Sequence, residues 1–109
     1  MDVPGKWWQN DALAAAPRWA KRHWAHGKWR VSTWAPSVAR VRGGYVAAYV
    51  APAAARYAIG YAICRTPVRP CRRQSRGPLL ATGGRVSGPG GPDGFVDARG
   101  RLRVACAAW

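Results

Sequence analysis

The chain has 109 residues, of which 18 are Lys or Arg and only 4 are Asp or Glu, so its formal net charge is +14. This length accommodates one small domain, and no apolar run is long enough to cross a bilayer as a helix. Glutamate is absent, so chemistry that needs several placed carboxylates has few groups to use. The charge attracts polyanions in general, although the excess of Ala, Arg, Gly and Pro is also typical of a GC-rich coding sequence.

Residues 1–30 are basic and rich in tryptophan. Asn10-Asp11 is placed to cap a short turn that Pro17 ends. Trp19 and His23 lie one helical turn apart, but a helix of that length is weak alone. We therefore predict a loop with one helical turn. The N-terminus is not followed by the apolar segment of a signal peptide, and the default expectation is a cytoplasmic location.

From Val31 onward the sequence takes on the period of β-strands. We predict strands over Val38–Arg42 and Tyr45–Val50, joined by Gly43-Gly44, because a Gly-Gly pair between β-branched runs is a hairpin signal. Tyr57–Cys64 alternates between large and small side chains. This pattern predicts a strand with one broad and one small face, packed between neighbouring layers.

The last third of the chain is predicted to be a loop followed by a hairpin. Arg65–Gly94 is rich in Pro and Gly, with one short strand expected near Pro78–Ala81. Phe95–Asp97 and Arg101–Ala107 are expected to pair across Ala98-Arg99-Gly100. No helix of consequence is predicted anywhere.

Three cysteines, Cys64, Cys71 and Cys106, give no even-numbered disulfide framework. The spacing of the first two does not fit the short C-x₂₋₄-C pattern of zinc sites. Pairing across the turn that they flank stays open, but we expect free thiols. His23 and His26 lack a third ligand, so we assign no metal site and no cofactor.

Two segments carry motifs of a known family. Trp34-Ala35-Pro36, followed by Val38 and Gly43-Gly44-Tyr45, resembles the opening of an early blade in the five-bladed β-propellers of glycoside hydrolase family 43. Tyr57–Trp109 resembles a late blade, because YAIGYAIC, RTPVRPC, GPLLATGGRVSGPGG and GFVDARGRLRVACAAW follow in the family's order.

This resemblance implies an all-β fragment of about two incomplete propeller blades. Residues 1–30 would be a basic, loop-rich segment, 31–56 a partial early blade and 57–109 a partial late blade. The blades that separate these two in the family are missing, as an internal deletion near residues 46–57 would explain.

The resemblance also implies an inverting hydrolase for arabinose- or xylose-containing glycans, with a glutamate acid, a carboxylate base and a further aspartate. This sequence has no glutamate, and the segments that would supply the other two do not match. We therefore predict a fragment that is inactive alone, and we assign no catalytic residue. Trp34 is the candidate substrate-binding residue, because its motif lies near the family's sugar-binding end. Asp97 is expected to hydrogen-bond turn backbone.

Three alternatives stay open. The first is a carbohydrate-binding remnant that uses Trp34 as a platform, although a tryptophan in a shortened blade also fits a core position. The second is a basic protein that binds polyanions or nucleic acid, for which Lys21–Arg30 is the best segment; the opposing interpretation is a solvated basic loop with packed tryptophans. The third is a gene remnant without a function, since partial blades leave strand edges unpaired. The expected partners are oligosaccharides and polyanions, with no membrane association.

Overall fold

The computed structural model describes residues 13–54, 56–67 and 69–109. These residues are all-β, as predicted, and contain no helix. In chain order the strands are β1 (His23–Ala25), β2 (Lys28–Arg30), β3 (Trp34–Val41), β4 (Gly44–Ala53), β5 (Arg56–Cys64), β6 (Arg73–Gln74), β7 (Gly90–Val96) and β8 (Leu102–Ala107). They form three antiparallel sheets with the orders β1–β2, β3–β4–β5–β6 and β7–β8. The cap predicted at Asn10-Asp11 lies outside the described residues.

The central sheet is a meander built around β4 and β5. The predicted strand Tyr45–Val50 lies within β4, and Val38–Arg42 overlaps β3 up to Val41; both observed strands are longer than expected. Val41 pairs with Gly44, so the tight turn contains Arg42 and Gly43 rather than Gly43 and Gly44. Gly43 has a φ of 83°, a conformation that favours glycine.

The predicted boundary between the segments 31–56 and 57–109 falls inside the central sheet, because β5 contains both residue 56 and residue 57. Strand β5 pairs with β4 from Tyr45 opposite Cys64 to Ala53 opposite Arg56. The two segments therefore share one sheet, and their assignment to two separate blades stays a prediction.

One face of β4 and β5 packs against residues 13–20. Along β5 this face carries the small side chains that the sequence pattern predicted, and Ala58 and Ala62 are fully buried. The Trp19 ring stacks on the Tyr49 ring, with a centroid separation of 6.3 Å and an interplanar angle of 10°. Burial raises the pKa of Tyr49 to about 12, and its hydroxyl donates to Gln74 Oε1 at 2.7 Å. The small face of β5 therefore leaves room for aromatic rings supplied by other segments.

The opposite face of the central sheet is covered by the β7–β8 hairpin. Val50 and Ile59, on this face, are almost completely buried, and β7 packs on β3 and β4. Ser37 Oγ accepts a hydrogen bond from the Gly94 backbone N–H at 2.9 Å and donates one to Asp93 Oδ1 at 3.2 Å. Asp93 lies in β7, whereas the sequence analysis placed it in a loop. Glycines along β7 let its backbone approach the central sheet closely. A Gly-rich sequence is also typical of loops, so the part of this strand before Phe95 was not predicted from the sequence.

Two local predictions were wrong. The N-terminal segment contains the β1–β2 hairpin in place of the predicted helical turn. Its strands have three residues each, too few for an alternating pattern to be read. Near Pro78–Ala81 no strand forms in the described residues, and Leu80 makes only an isolated bridge to Ile59. The edge strand β6 pairs with β5 instead.

Cys64 and Cys71 form a disulfide, so the expectation of free thiols at these positions was wrong. Cys64 ends β5 and Cys71 precedes β6, and their Cα atoms lie 4.3 Å apart. Both cysteines are buried in the core beneath Leu13 and Trp19. Cys106 is the unpaired thiol and lies exposed on β8. The odd number of cysteines therefore reflects one disulfide plus one free thiol, and it did not exclude a disulfide.

Candidate functional site

Trp34, the predicted substrate-binding residue, begins β3 opposite Val50. A register shift separates it from Ser37, and the intervening Ala35 has a φ of 52°. The Trp34 side chain is 39% exposed. Its ring meets the Tyr57 ring edge to face, with centroids 5.2 Å apart and an interplanar angle of 88°. The two rings therefore form a partly exposed aromatic pair between the start of β3 and the start of β5.

An open groove of about 680 Å³ adjoins this pair and is lined by Arg56, Tyr57, Gly88 and Trp109. We call it the aromatic groove. Tyr57 is 48% exposed and Trp109 is 88% exposed. The aromatic rings of the groove come from Tyr57 in β5 and from Trp109, two residues after the end of β8, and Trp34 of β3 contacts the Tyr57 ring. Segments that are far apart in sequence thus present flat apolar surfaces in one place.

Hydrogen bonds around Ser87 hold the groove together. The Trp109 backbone N–H donates to the Ser87 carbonyl at 2.9 Å, and the Ser87 N–H donates to the Trp109 carbonyl at 3.0 Å. Arg56 Nη1 donates to Ser87 Oγ at 3.4 Å. Gly88 has a φ of 57°, and a Cβ there would lie 3.5 Å from Arg56 Cδ and 3.8 Å from Trp109 Cδ1. Glycine at this position keeps the groove open between the arginine and the tryptophan.

The groove has the chemistry of a binding surface for a neutral, polyhydroxylated ligand. Exposed aromatic rings provide flat apolar faces on which the C–H face of a sugar packs. The Arg56 guanidinium provides N–H donors for hydroxyl oxygens, since arginine carries five donors in a planar fork. The side chains that line the groove include no carboxylate, so they offer binding without a general acid or base.

Asp97 has the structural role that the sequence predicted. Its Oδ1 accepts hydrogen bonds from the backbone N–H groups of Arg99 and Arg101, both at 2.9 Å, and its Oδ2 receives the guanidinium Nε of Arg101 at 3.3 Å and of Arg103 at 2.9 Å. The Arg101 backbone N–H, and after it the Arg103 guanidinium, lower the pKa of Asp97. A carboxyl group held ionised in this way fixes the β7–β8 turn and is unsuited to donating a proton to a leaving group.

The other aspartates provide no acid/base pair in the described part of the chain. Asp93 is engaged by Ser37 at the junction of β7 with β3. Asp2 and Asp11 lie outside the residues that the structure describes. Within 13–54, 56–67 and 69–109, no three His, Cys or Asp side chains are grouped so as to hold a metal ion. No helix in these ranges is long and apolar enough to span a membrane.

Trp34 was predicted from the sequence, but Tyr57, Trp109 and Arg56, which line the groove, were not. Tyr57 was interpreted only as part of the broad face of β5, and Trp109 only as the residue after the last strand. The available signal was that each lies at the end of a predicted strand, where aromatic side chains are less completely covered. Arg56 carried no signal that distinguished it from the other arginines.

No family model, curated protein or solved structure matches this chain. The resemblance to glycoside hydrolase family 43 therefore rests on the sequence motifs alone.

Proposed function

We propose that this chain is a fragment of a family-43-like glycoside hydrolase that binds arabinose- or xylose-containing oligosaccharides in the aromatic groove without cleaving them. The observation that carries the proposal is the pair of exposed rings, Tyr57 and Trp109, that line one open groove with Arg56, while the Trp34 ring contacts Tyr57 edge to face. Trp34 belongs to the Trp-Ala-Pro motif that lies near the sugar-binding end in the family, so motif and geometry favour the same place.

The central sheet supports the ancestry part of the proposal, with strands of the early-blade and late-blade segments joined in one sheet near the proposed internal deletion. A four-stranded antiparallel meander with strands in sequential order is the repeating unit of a β-propeller, and β3–β4–β5–β6 has this order. In closed propellers, neighbouring blades cover each sheet. Here residues 13–20 cover one face and the β7–β8 hairpin covers the other, which lets a blade-like sheet persist without a ring.

The acid/base chemistry of the chain favours binding over hydrolysis. An inverting hydrolase needs one protonated and one ionised carboxyl group about 6.5–9.5 Å apart across the glycosidic bond. Glutamate is absent, and Asp97 is occupied by two arginines. The groove itself is lined by aromatic side chains, a glycine and an arginine.

Calorimetric titration with arabino- and xylo-oligosaccharides tests the proposal. Trp109→Ala removes the most exposed ring of the groove and is expected to weaken binding while leaving the unfolding midpoint nearly unchanged, because that side chain is 88% exposed. Tyr57→Ala is expected to weaken binding as well, whereas Tyr57→Phe, which keeps the ring, retains it. Phe95→Ala is the matched control, since Phe95 is exposed to the same 48% but lies on β7.

Three results would contradict the proposal. Absence of binding to both oligosaccharide series would remove the carbohydrate-binding part. Equal losses in Trp109→Ala and Phe95→Ala would show that the groove is not the site. Chromatography of the incubated oligosaccharide detects any release of reducing sugar. If that release persists in the Asp93→Asn and Asp97→Asn variants, the chain cleaves the ligand with other groups, and the proposal of binding without cleavage is wrong.

A further inference from the structure

The β1–β2 hairpin stands apart from the rest of the structure as a small sheet of its own. Among the described residues its strands pair only with each other, with Trp24 directly opposite Trp29 and Ala25 opposite Lys28. His26 and Gly27 form the two-residue turn, with φ values of 52° and 76°. Positive φ at both central residues is the type I′ geometry that suits a two-residue hairpin. The turn therefore places both tryptophans on the same side of the hairpin.

Both tryptophans of the hairpin are on the surface. Trp24 is 61% exposed and Trp29 is 62% exposed. The rings meet edge to face, with centroids 5.6 Å apart and an interplanar angle of 78°, a contact that stabilises the hairpin by about 0.5–1.5 kcal/mol. This contact leaves most of each ring in contact with solvent. The interpretation of Lys21–Arg30 as a loop with packed tryptophans is therefore wrong.

Positive charge lies close to these two rings along the chain, with Lys28 and Arg30 on either side of Trp29 in β2 and Lys21 and Arg22 just before β1. Lys21, Arg22, Lys28 and Arg30 are all exposed, and residues 21–30 contain no acidic side chain. The ion pairs of the described chain are those of Asp97 with two arginines of the β7–β8 hairpin, so none of these four cations has a carboxylate partner among the described residues. Residues 21–30 thus combine two exposed aromatic rings with four cations that have no carboxylate partner within the described part of the chain.

We propose that the β1–β2 hairpin binds single-stranded nucleic acid. A single strand alternates anionic phosphates with bases whose flat faces are free, and each base stacked on an aromatic ring contributes about 1–3 kcal/mol. In a duplex the bases are stacked on one another, and a sulfated polysaccharide supplies anions without bases. The charge complementarity and the two rings on one side of the hairpin together favour a single strand. This site shares no residue with the aromatic groove and does not depend on the carbohydrate proposal.

Fluorescence anisotropy with a labelled oligothymidylate of about 12 nucleotides tests the inference. Trp24→Leu with Trp29→Leu keeps apolar bulk in the hairpin but removes the aromatic faces, and it is expected to weaken binding by about 5- to 150-fold for each stacked base. Trp24→Phe with Trp29→Phe keeps flat rings and is expected to retain most of the affinity. An abasic oligonucleotide of the same length should bind both double variants and the original chain within about twofold.

The salt dependence tests the contribution of charge separately. Four phosphate contacts predict a slope of about −2.8 for the logarithm of the association constant against the logarithm of salt concentration, from about −0.7 for each contact with a single strand. Lys28→Gln with Arg30→Gln is expected to reduce the magnitude of this slope by about 1.4. Arg76→Gln with Arg85→Gln removes the same charge from exposed loop positions outside the hairpin and is expected to leave the slope nearly unchanged.

Several results would overturn the inference. If the leucine double variant binds oligothymidylate as tightly as the original chain, charge alone is responsible for the binding. An equal loss of affinity for the abasic strand or for heparin in that variant would show that the rings do not recognise bases. A reduced slope in Arg76→Gln with Arg85→Gln, matching that of the hairpin variant, would show that the charge acts without a defined site. Circular dichroism of each variant confirms that the sheet content is intact before binding is compared.

Discussion

Replacing Gly60 by alanine is expected to separate the N-terminal segment from the central sheet. A Cβ at position 60 would lie 2.5 Å from Trp19 Cζ2 and 2.7 Å from Tyr49 Oη. Favourable carbon contacts begin near about 3.5 Å, so at least one ring must move by about 1 Å. Adding a methyl group to a packed site of this kind costs about 1–3 kcal/mol. Each kcal/mol lowers the melting temperature of a domain of this size by about 4–8 °C.

The displaced ring has consequences beyond one contact. Trp19 lies in the segment that is tied to the sheet by Lys21 N–H donating to the Pro52 carbonyl at 2.8 Å and by Ala14 N–H donating to the Cys71 carbonyl at 2.9 Å. Tilting the indole therefore strains hydrogen bonds at both ends of residues 13–20. We expect the loss of stability to appear in urea unfolding followed by circular dichroism.

Gly94→Ala is the matched control for this experiment. Gly94 is also a strand glycine, and a Cβ there would lie 3.5 Å from Ala39 Cβ, an ordinary contact. Its φ is not in the positive range, so alanine is expected to leave stability unchanged or to raise it by about 0.4–1 kcal/mol. Combining Gly60→Ala with Trp19→Leu should cost less than the sum of the two single changes, because the larger ring is the obstacle. Equal stability of Gly60→Ala and Gly94→Ala would refute the packing of Trp19 over β5.

Two further predictions concern the β7–β8 turn and the disulfide. The pKa of Asp97 is lowered in the fold from a starting value of 3.8, so its stabilising effect is present at neutral pH and is lost as the pH falls through the folded-state pKa. The difference in free energy of unfolding between the original chain and Asp97→Asn should therefore shrink as the pH falls below 3.8, and a constant difference in urea titrations would contradict this. Replacing Cys64 and Cys71 by serine opens a short loop with a sequence separation of 7, which is expected to cost about 2–3 kcal/mol by loop entropy. Dithiothreitol should lower the melting temperature of the original chain and leave that of the serine variant unchanged, and equal sensitivity of both would contradict the assignment.

Features that depend on neighbouring residues were predictable from the sequence. Alternating large and small side chains indicated β5, and β-branched runs on either side of Gly43 indicated the β3–β4 hairpin. Asp97 followed by Gly100, which has a φ of 75°, indicated the turn between β7 and β8. In each case the hydrogen-bonding pattern and the backbone conformation are set within a few residues, so local chemistry is sufficient.

Features that depend on distant residues were decided only by the tertiary structure. Trp34 was predicted to be a binding residue, but its contact with Tyr57 requires the pairing of β3, β4 and β5 in one register. Trp24 is exposed because no other segment of the described chain packs over its ring, and the composition of the chain does not show which residues will be left uncovered. Alternation shows which side chains share a face of a strand. It does not show what will cover that face, because the covering segment is selected by the packing of the whole chain.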